Sequence, residues 1–207
     1  MIKKEIYPKT KRMKLKNTVY VTEKIDGSNL TIFKKNGNLY IAQRKNIFDA
    51  FNELEEAKEI MYKGIYQWLL EHRQYLLDNL LESSCLCVEW LGMGCLKYSS
   101  EEFDKKCYMF ATANIDDEFN LFNLKYTQEL FKYPFVNQEI PDFIGLVPLV
   151  ATLDNIPSIE ELNTLYDTYT KIVNRNVEGF VINFQEDIHK YVRMKNGKLQ
   201  EHFERGD

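Results

Sequence analysis

The residues of this sequence that could do covalent chemistry begin with Lys24, in the stretch Glu23-Lys24-Ile25-Asp26-Gly27-Ser28-Asn29. A lysine attacks an electrophile as the free amine, and burial or neighbouring cations favour that form. Gly27 leaves room for a phosphate to approach the backbone. A lysine held at the mouth of such a pocket can attack phosphorus and carry a nucleotide covalently. The competing reading is a surface hairpin, because Asp26-Gly27 between two alternating runs is a strong turn signal. Lys24 is then a solvated lysine at its shoulder. Three further places carry charge where a strand is expected. Glu89 lies in the apolar run from Cys85 to Leu91, and an acid there must be paired, open to a cleft or functional. Glu178 stands with Gly179 at the start of the apolar run ending at Ile182. Arg193 and Lys195 are two residues apart, which puts both on one face of a strand.

Around these residues, alternation of apolar and polar side chains predicts strands over Thr18 to Val21, Asn29 to Phe33 and Asn38 to Ala42, with a tight turn at Asn36-Gly37. Arg44 and Lys45 leave the third strand. From Ile47 to about Glu82 the period becomes helical. Phe48, Phe51, Leu54, Ala57 and Met61 form one stripe, Gly64 is a candidate break, and Ile65, Trp68, Leu69, Leu76, Leu77 and Leu80 form a second. His72 is expected on the surface. Strands follow at Cys85 to Leu91 and Tyr108 to Ala113, and a helix at Leu124 to Phe131. The strand from Phe143 to Val150 is interrupted by Gly145 and Pro148, which suits an edge. Ser158 and Glu161 form a capping box that opens a helix to about Thr170. Pro141, Pro148 and Pro157 mark loops inside one domain.

The Lys-x-Asp-Gly wording of Lys24, Asp26 and Gly27 resembles motif I of the covalent nucleotidyltransferases, the superfamily of DNA ligases, RNA ligases and mRNA capping enzymes. Asn29 narrows it: DNA ligases and capping enzymes usually carry arginine there, and RNA ligases of the RNA ligase 2 type usually carry asparagine. Val88-Glu89-Trp90-Leu91-Gly92 is similar to motif III, Glu178-Gly179-Phe180-Val181 to motif IV and Arg193-Met194-Lys195 to motif V, in the family's order. The resemblance implies an α+β adenylyltransferase domain of two mainly antiparallel sheets with flanking helices around an ATP pocket. Many relatives carry a further C-terminal nucleic-acid-binding domain; none fits after Lys198 here, so residues 1–207 are expected to be a single adenylyltransferase domain with no separate C-terminal one. It implies that Lys24 forms a lysyl-AMP phosphoramidate, that AMP passes to an RNA 5′-phosphate, and that a 3′-hydroxyl displaces it. Glu23, Arg44, Glu89, Phe110, Glu178, Arg193 and Lys195 are the implied nucleotide-binding set. Glu89 would meet the ribose hydroxyls and Phe110, or Tyr108 in second place, would stack on adenine. Glu178 would help hold Mg2+ or Mn2+, and Ser28 and Asn29 would face RNA. Two departures stand out: Ala111 replaces the acid that usually follows the stacking phenylalanine, and Arg193 replaces the first lysine of motif V, a rigid fork in place of a point donor. A DNA ligase and a non-catalytic RNA-binding descendant are the alternative readings.

Composition permits this. The chain has 207 residues, 44% of them hydrophobic, enough for one packed core. It contains no apolar run of transmembrane length, and its start lacks a secretory apolar segment. Cys85, Cys87, Cys95 and Cys107 fit no usual zinc spacing and are expected to be reduced thiols in a cytoplasmic protein. The net charge of −4 does not mark a nucleic-acid binder, yet residues 1–16 hold seven Lys or Arg against Glu5 alone. Such an arm is either a solvated terminus or a contact for a polyanion.

Overall fold

The computed structural model describes residues 18–43, 46–50, 64–92, 94–184, 187–195 and 198–199. The strand that ends at Lys24, β1 (Val19–Lys24), runs inside a four-stranded antiparallel sheet whose order is β11 (Asp187–Val192), β10 (Gly179–Phe184), β1, β9 (Leu149–Leu153). Alternation along these strands decides which side chains share a face. Val19 and Val21 join Phe180, Ile182 and Tyr191 in a core closed by Leu162 and Tyr166 of the helix α2 (Ile159–Val173). Thr22 and Lys24 take the opposite face, beside Val181 and Gly179 of β10.

The chain then changes sheets. The next strand, β2 (Ser28–Lys35), pairs with β3 (Asn38–Ala42) and with β5 (Ser84–Trp90), not with β1. The sheet continues on one side to β4 (Ile47–Asp49) and on the other to β6 (Cys107–Ile115) and β7 (Leu121–Tyr126). One further strand, β8 (Ile144–Leu146), lies parallel to β6. Leu30, Ile32, Leu86 and Val88 turn one face of this sheet toward Trp68, Leu69 and Leu76 of the helix α1 (Ile65–Asn79). The other face carries Phe33, Cys85, Cys87 and Ala111. A two-stranded ribbon of β12 (Met194–Lys195) and β13 (Lys198–Leu199) follows the first sheet.

The mixed fold of two mainly antiparallel sheets with helices is the expected one. Several local readings come out as the sequence predicts. Asn36 and Gly37 both have positive φ, 52° and 74°, in the turn between β2 and β3. Ser158 Oγ accepts from the Glu161 N–H at 3.2 Å and Glu161 accepts from the Ser158 N–H at 2.7 Å, the reciprocal cap of α2. Cys85 and Cys87 share one face of β5, and Cys107 is also buried; apolar burial pushes the Cys85 and Cys87 thiols up to about 12 and about 11.

Others are corrected. The Asp26-Gly27 turn is no hairpin, since β1 and β2 lie in different sheets. Ile47 to Asp49 is a strand hydrogen-bonded to β3, not the start of a helix; Phe51, Leu54, Ala57 and Met61 lie outside the described residues. Leu124 lies in β7, which ends at Tyr126 and gives way to a single 3-10 turn at Thr127–Glu129, because pairing with β6 holds those residues extended. The expected strand through Pro148 is two strands, β8 and β9, in two different sheets. His72 is half-buried and stacks on Phe143 at 3.9 Å between centroids. No helix of the described residues is long and apolar enough to cross a membrane.

Candidate active site at the sheet crossover

Lys24 is the last residue of β1, directly opposite Gly179, and its side chain leaves on the face away from α2. Glu178, the residue before that glycine, brings Oε1 to 2.6 Å from Lys24 Nζ. A side chain at position 179 would collide with the Tyr191 carbonyl oxygen, 1.9 Å from an ideal Cβ, so β10 and β11 can draw together there only with glycine. The Glu178 carbonyl accepts from the N–H groups of Arg193 and Met194 at 2.8 and 2.9 Å, which ties the acid to the end of β11. Glu178 Oε2 is buried and has no hydrogen-bond partner among the described residues.

Glu89 enters from the other sheet. It lies on β5 across from Asn29 of β2. Burial pushes its carboxyl up to about 7; Lys24 and Lys190 pull it down, while Glu178 and Asp26 push it further up. Burial also raises Glu178, and the ion pair with Lys24 opposes it. Lys24, Glu89 and Glu178 therefore form one electrostatic cluster assembled from two sheets.

The crossover itself is held from behind. Asp26 Oδ2 accepts from the N–H groups of Cys95 and Leu96 at 2.6 and 2.7 Å, and the Asp26 N–H donates to the Tyr98 hydroxyl at 2.7 Å. Gly27 lies so close to β5 that a Cβ would stand 2.7 Å from the Trp90 carbonyl oxygen and 2.9 Å from Glu89 Cγ. The aspartate and glycine beside the lysine thus fix the spacing between β1 and Glu89. A cavity of about 190 Å³ lies beside this corner, lined by Asp26, Gly92, Gly94, Tyr98, Phe103 and Lys105 among others. It abuts the back of the crossover; Lys24 and Glu178 are not on its wall.

Two expected site residues point elsewhere. The Glu23 carboxylate is fully buried, 0% exposed, and accepts from Arg175 Nη1 and Nη2 at 2.6 and 2.7 Å and from the Tyr169 hydroxyl at 2.7 Å. It neighbours Lys24 in sequence, so alternation sends it to the opposite face. Its side chain serves a buried ion pair, not a nucleotide. Arg193 lies just past β11, where the strand breaks, and Nη1 donates to Asn163 Oδ1 of α2 at 2.6 Å while the guanidinium sits over the Tyr166 ring. It is on the helix side with Tyr191, not with Lys24. Phe110 is half-buried on β6 between two apolar clusters, and Tyr108 is buried with its ring against Gly145. Ser28 lies opposite Trp90, and Lys195 pairs with Lys198 in the ribbon. Arg44 and the basic arm of residues 1–16 lie outside the described residues.

A family model for RNA ligases matches residues 17–195. The chain belongs to the RNA ligase family. Solved structures similar to it include variants of the Naegleria gruberi RNA ligase. One with ATP and Mn is 16% identical, covers 86% of this chain and 50% of that one, and gives a TM-score of 0.45. One with AMP and Mn is 18% identical with the same coverages and TM-score. The chain thus spans about half the length of those proteins. No curated protein matches. Within the RNA ligase frame, sequence reasoning does not find Arg175, Tyr169 and Tyr98, which brace the residues on either side of Lys24, or Lys190, whose charge acts on Glu89 and Glu178. Arg175 follows a helix end and carries no motif, so no signal marks it. Lys190 is legible in principle, because it is one residue out of phase with Tyr191, a core residue of β11.

Proposed function

We propose that this RNA ligase family member is an ATP-dependent RNA ligase domain in which Lys24 becomes adenylylated. The observation that carries the reading is the ion pair of Lys24 with Glu178, at the point where the chain crosses between sheets and Gly27 packs against Glu89 of the other sheet. A nucleotide laid across that crossover would present its α-phosphate to Lys24 and its ribose to Glu89, with Phe110 available to the base. Lys24 Nζ attacks the α-phosphorus, the N–P bond forms, and the bond to the β-phosphate oxygen breaks with release of pyrophosphate. The amine attacks only unprotonated, so Lys24 must first give up a proton, which Glu178 Oε1 at 2.6 Å is placed to accept. Lys195 is proposed to meet phosphate oxygens. Arg193 contributes through its backbone N–H, which holds the Glu178 carbonyl. The AMP then passes to an RNA 5′-phosphate, and a 3′-hydroxyl displaces it.

A divalent cation fits one feature of the site: the buried, unpartnered Oε2 of Glu178 is a hard oxygen ligand of the kind Mg2+ and Mn2+ prefer. Among the described residues no cluster of three His, Cys, Asp or Glu could hold a metal alone, so phosphate and water oxygens would complete its shell. There it would neutralise charge on the phosphates.

Incubation with α-labelled ATP or GTP tests this directly. ATP should label the polypeptide, GTP should not, and Lys24→Ala should carry no label while remaining folded, though it loses the ion pair to Glu178. A labelled Lys24→Ala protein would sink the reading.

A further inference from the structure

Among the described residues, the face of the first sheet that carries Lys24 carries one more cation, Lys190. Lys24 stands across from Gly179, which stands across from Val192; one step along, Thr22 stands across from Val181, which stands across from Lys190. Alternation therefore places Lys190 on the Lys24 face, whereas Tyr191 and Arg193 turn to α2. Lys190 is exposed, and its charge acts on both Glu89 and Glu178, the two acids that flank Lys24. Two strands and one two-residue step separate Lys24 from Lys190, about 12 Å between Cα atoms at about 4.8 Å per strand and 3.4 Å per residue. Two extended lysine side chains converging on the same acids close most of that gap, leaving a separation that one triphosphate can span.

We propose that Lys190 is a phosphate-binding residue of this site, and that it, not Arg193, is the β11 cation that meets the phosphate oxygens beyond the α-phosphate. The inference rests on the adenylylation reading for the identity of the ligand, and on strand register alone for the position of the cation. A lysine suits this role because it is a compact charge on a flexible stem that can follow a departing pyrophosphate, and it needs no fixed fork geometry. Its position also explains how the cleft tolerates two acids beside the nucleophile, because Lys190 offsets them until a phosphate arrives to take its charge.

The test compares Lys190→Gln and Lys190→Arg with the parent chain. Lys190 is exposed, so both variants should melt like the parent. In the labelling reaction Lys190→Gln should raise the KM for ATP about tenfold, as expected for removing roughly one charge-assisted hydrogen bond, and Lys190→Arg should restore most of it. AMP binding, measured by calorimetry, should be unchanged, because AMP lacks the outer phosphates. An unchanged KM for ATP would overturn the proposal. So would an equal loss of AMP and ATP affinity. An upward shift of the low-pH limb of labelling with KM unaltered would reduce Lys190 to a charge that balances Glu89, and would overturn it as well. If the parent chain takes no label at all, the adenylylation reading has failed, and calorimetry with inorganic tripolyphosphate decides the cation separately: binding weakened in Lys190→Gln keeps it, and equal binding removes it.

Discussion

A carboxyl group held near neutrality changes charge within the range where enzymes are assayed, and burial places Glu89 there, at about 7. If Glu89 must accept from ribose hydroxyls, the ionised form is the working one. Labelling by ATP should then fall as pH drops through about 7, approaching roughly tenfold per unit well below it, and Glu89→Gln should be slow at every pH with that limb gone. A pH profile of both proteins checks this. Stability runs the other way. The folded-state value lies above the ordinary 4.5, so the folded protein holds this proton more tightly than the unfolded chain. The contribution of Glu89 to stability is thus best at low pH and worsens as pH climbs from 4.5 to about 7, reaching a cost of at most about 3 kcal/mol. Glu89→Gln should melt above the parent at about pH 8 and lose that advantage near pH 5; melting curves at the two values decide it. Glu23 behaves differently, because Arg175 supplies its charge partner and Tyr169 its third hydrogen bond. Removing the cation in Arg175→Met leaves a fully buried carboxylate and should cost about 3–5 kcal/mol in urea melts, with Lys24 labelling reduced by displacement of β1. Neither role can be read from the residue's own letter. Glu23 and Glu89 are both acids in apolar strands; an arginine 152 positions away holds one in a buried pair, while the charges acting on the other include Lys24 and Lys190.

At the level of elements, the decisive feature is a corner that looks like a hairpin in sequence. Val19–Lys24 and Ser28–Lys35 have the alternation, length and Asp-Gly connection of paired strands, yet each finds its partners elsewhere. The partners are too distant in sequence for local pattern to name: Gly179 for Lys24 and Trp90 for Ser28. The same limit explains β8 and β9, which read as one strand because nothing near Pro148 says that its two sides join different sheets. Leu121–Tyr126 escapes periodicity because Leu121, Phe122 and Leu124 are between 45% and 50% open and only Tyr126 at its end is buried, so no alternating buried face marks the strand. The features that local sequence does determine are present as expected: the capping box of α2, the Asn36-Gly37 turn, and α1 from Ile65 onward. The corner makes its own prediction. Gly27 has no room for a methyl group against the Trp90 carbonyl and Glu89 Cγ. Gly27→Ala must push β1 and β5 apart, at a cost of about 1–3 kcal/mol. It should reduce AMP labelling far more than that loss of stability implies, because the shift lies between Lys24 and Glu89. A melting curve beside a labelling rate separates the two effects; a variant that is destabilised but labels at the parent rate would show that the corner does not set the site's spacing.

For the whole molecule, the question is how a chain of net charge −4 would hold a polyanion. The proposed nucleotide site would not supply the means, since the cations there sit among acids: Lys24 is paired with Glu178, and Lys190 acts on Glu178 and Glu89. Positive charge uncompensated by neighbours in sequence is concentrated in Lys3, Lys4, Lys9, Lys11, Arg12, Lys14 and Lys16. If RNA is the substrate, this arm is the part of the chain best suited to its backbone, while Asn29, across from Glu89, stands where strand ends would meet the nucleotide. The protein should seal RNA strands in preference to a nick with DNA on both sides; equal or better sealing of the all-DNA nick would favour a DNA ligase. Neutralising several arm lysines should weaken RNA binding and flatten its salt dependence, by about 0.7–0.9 in the slope of log affinity against log salt for each phosphate that the arm no longer neutralises. Self-adenylylation should stay near the parent rate, because ATP would be held by the crossover and not by the arm. Neutralising Lys195 should do the reverse, cutting AMP labelling while the salt slope for RNA changes less. Binding curves at several salt concentrations, run beside the labelling assay on both variants, separate the two sets of cations. A slope that does not move in the arm variant would leave residues 1–16 as an ordinary solvated segment and return the search for the RNA surface to the sheets.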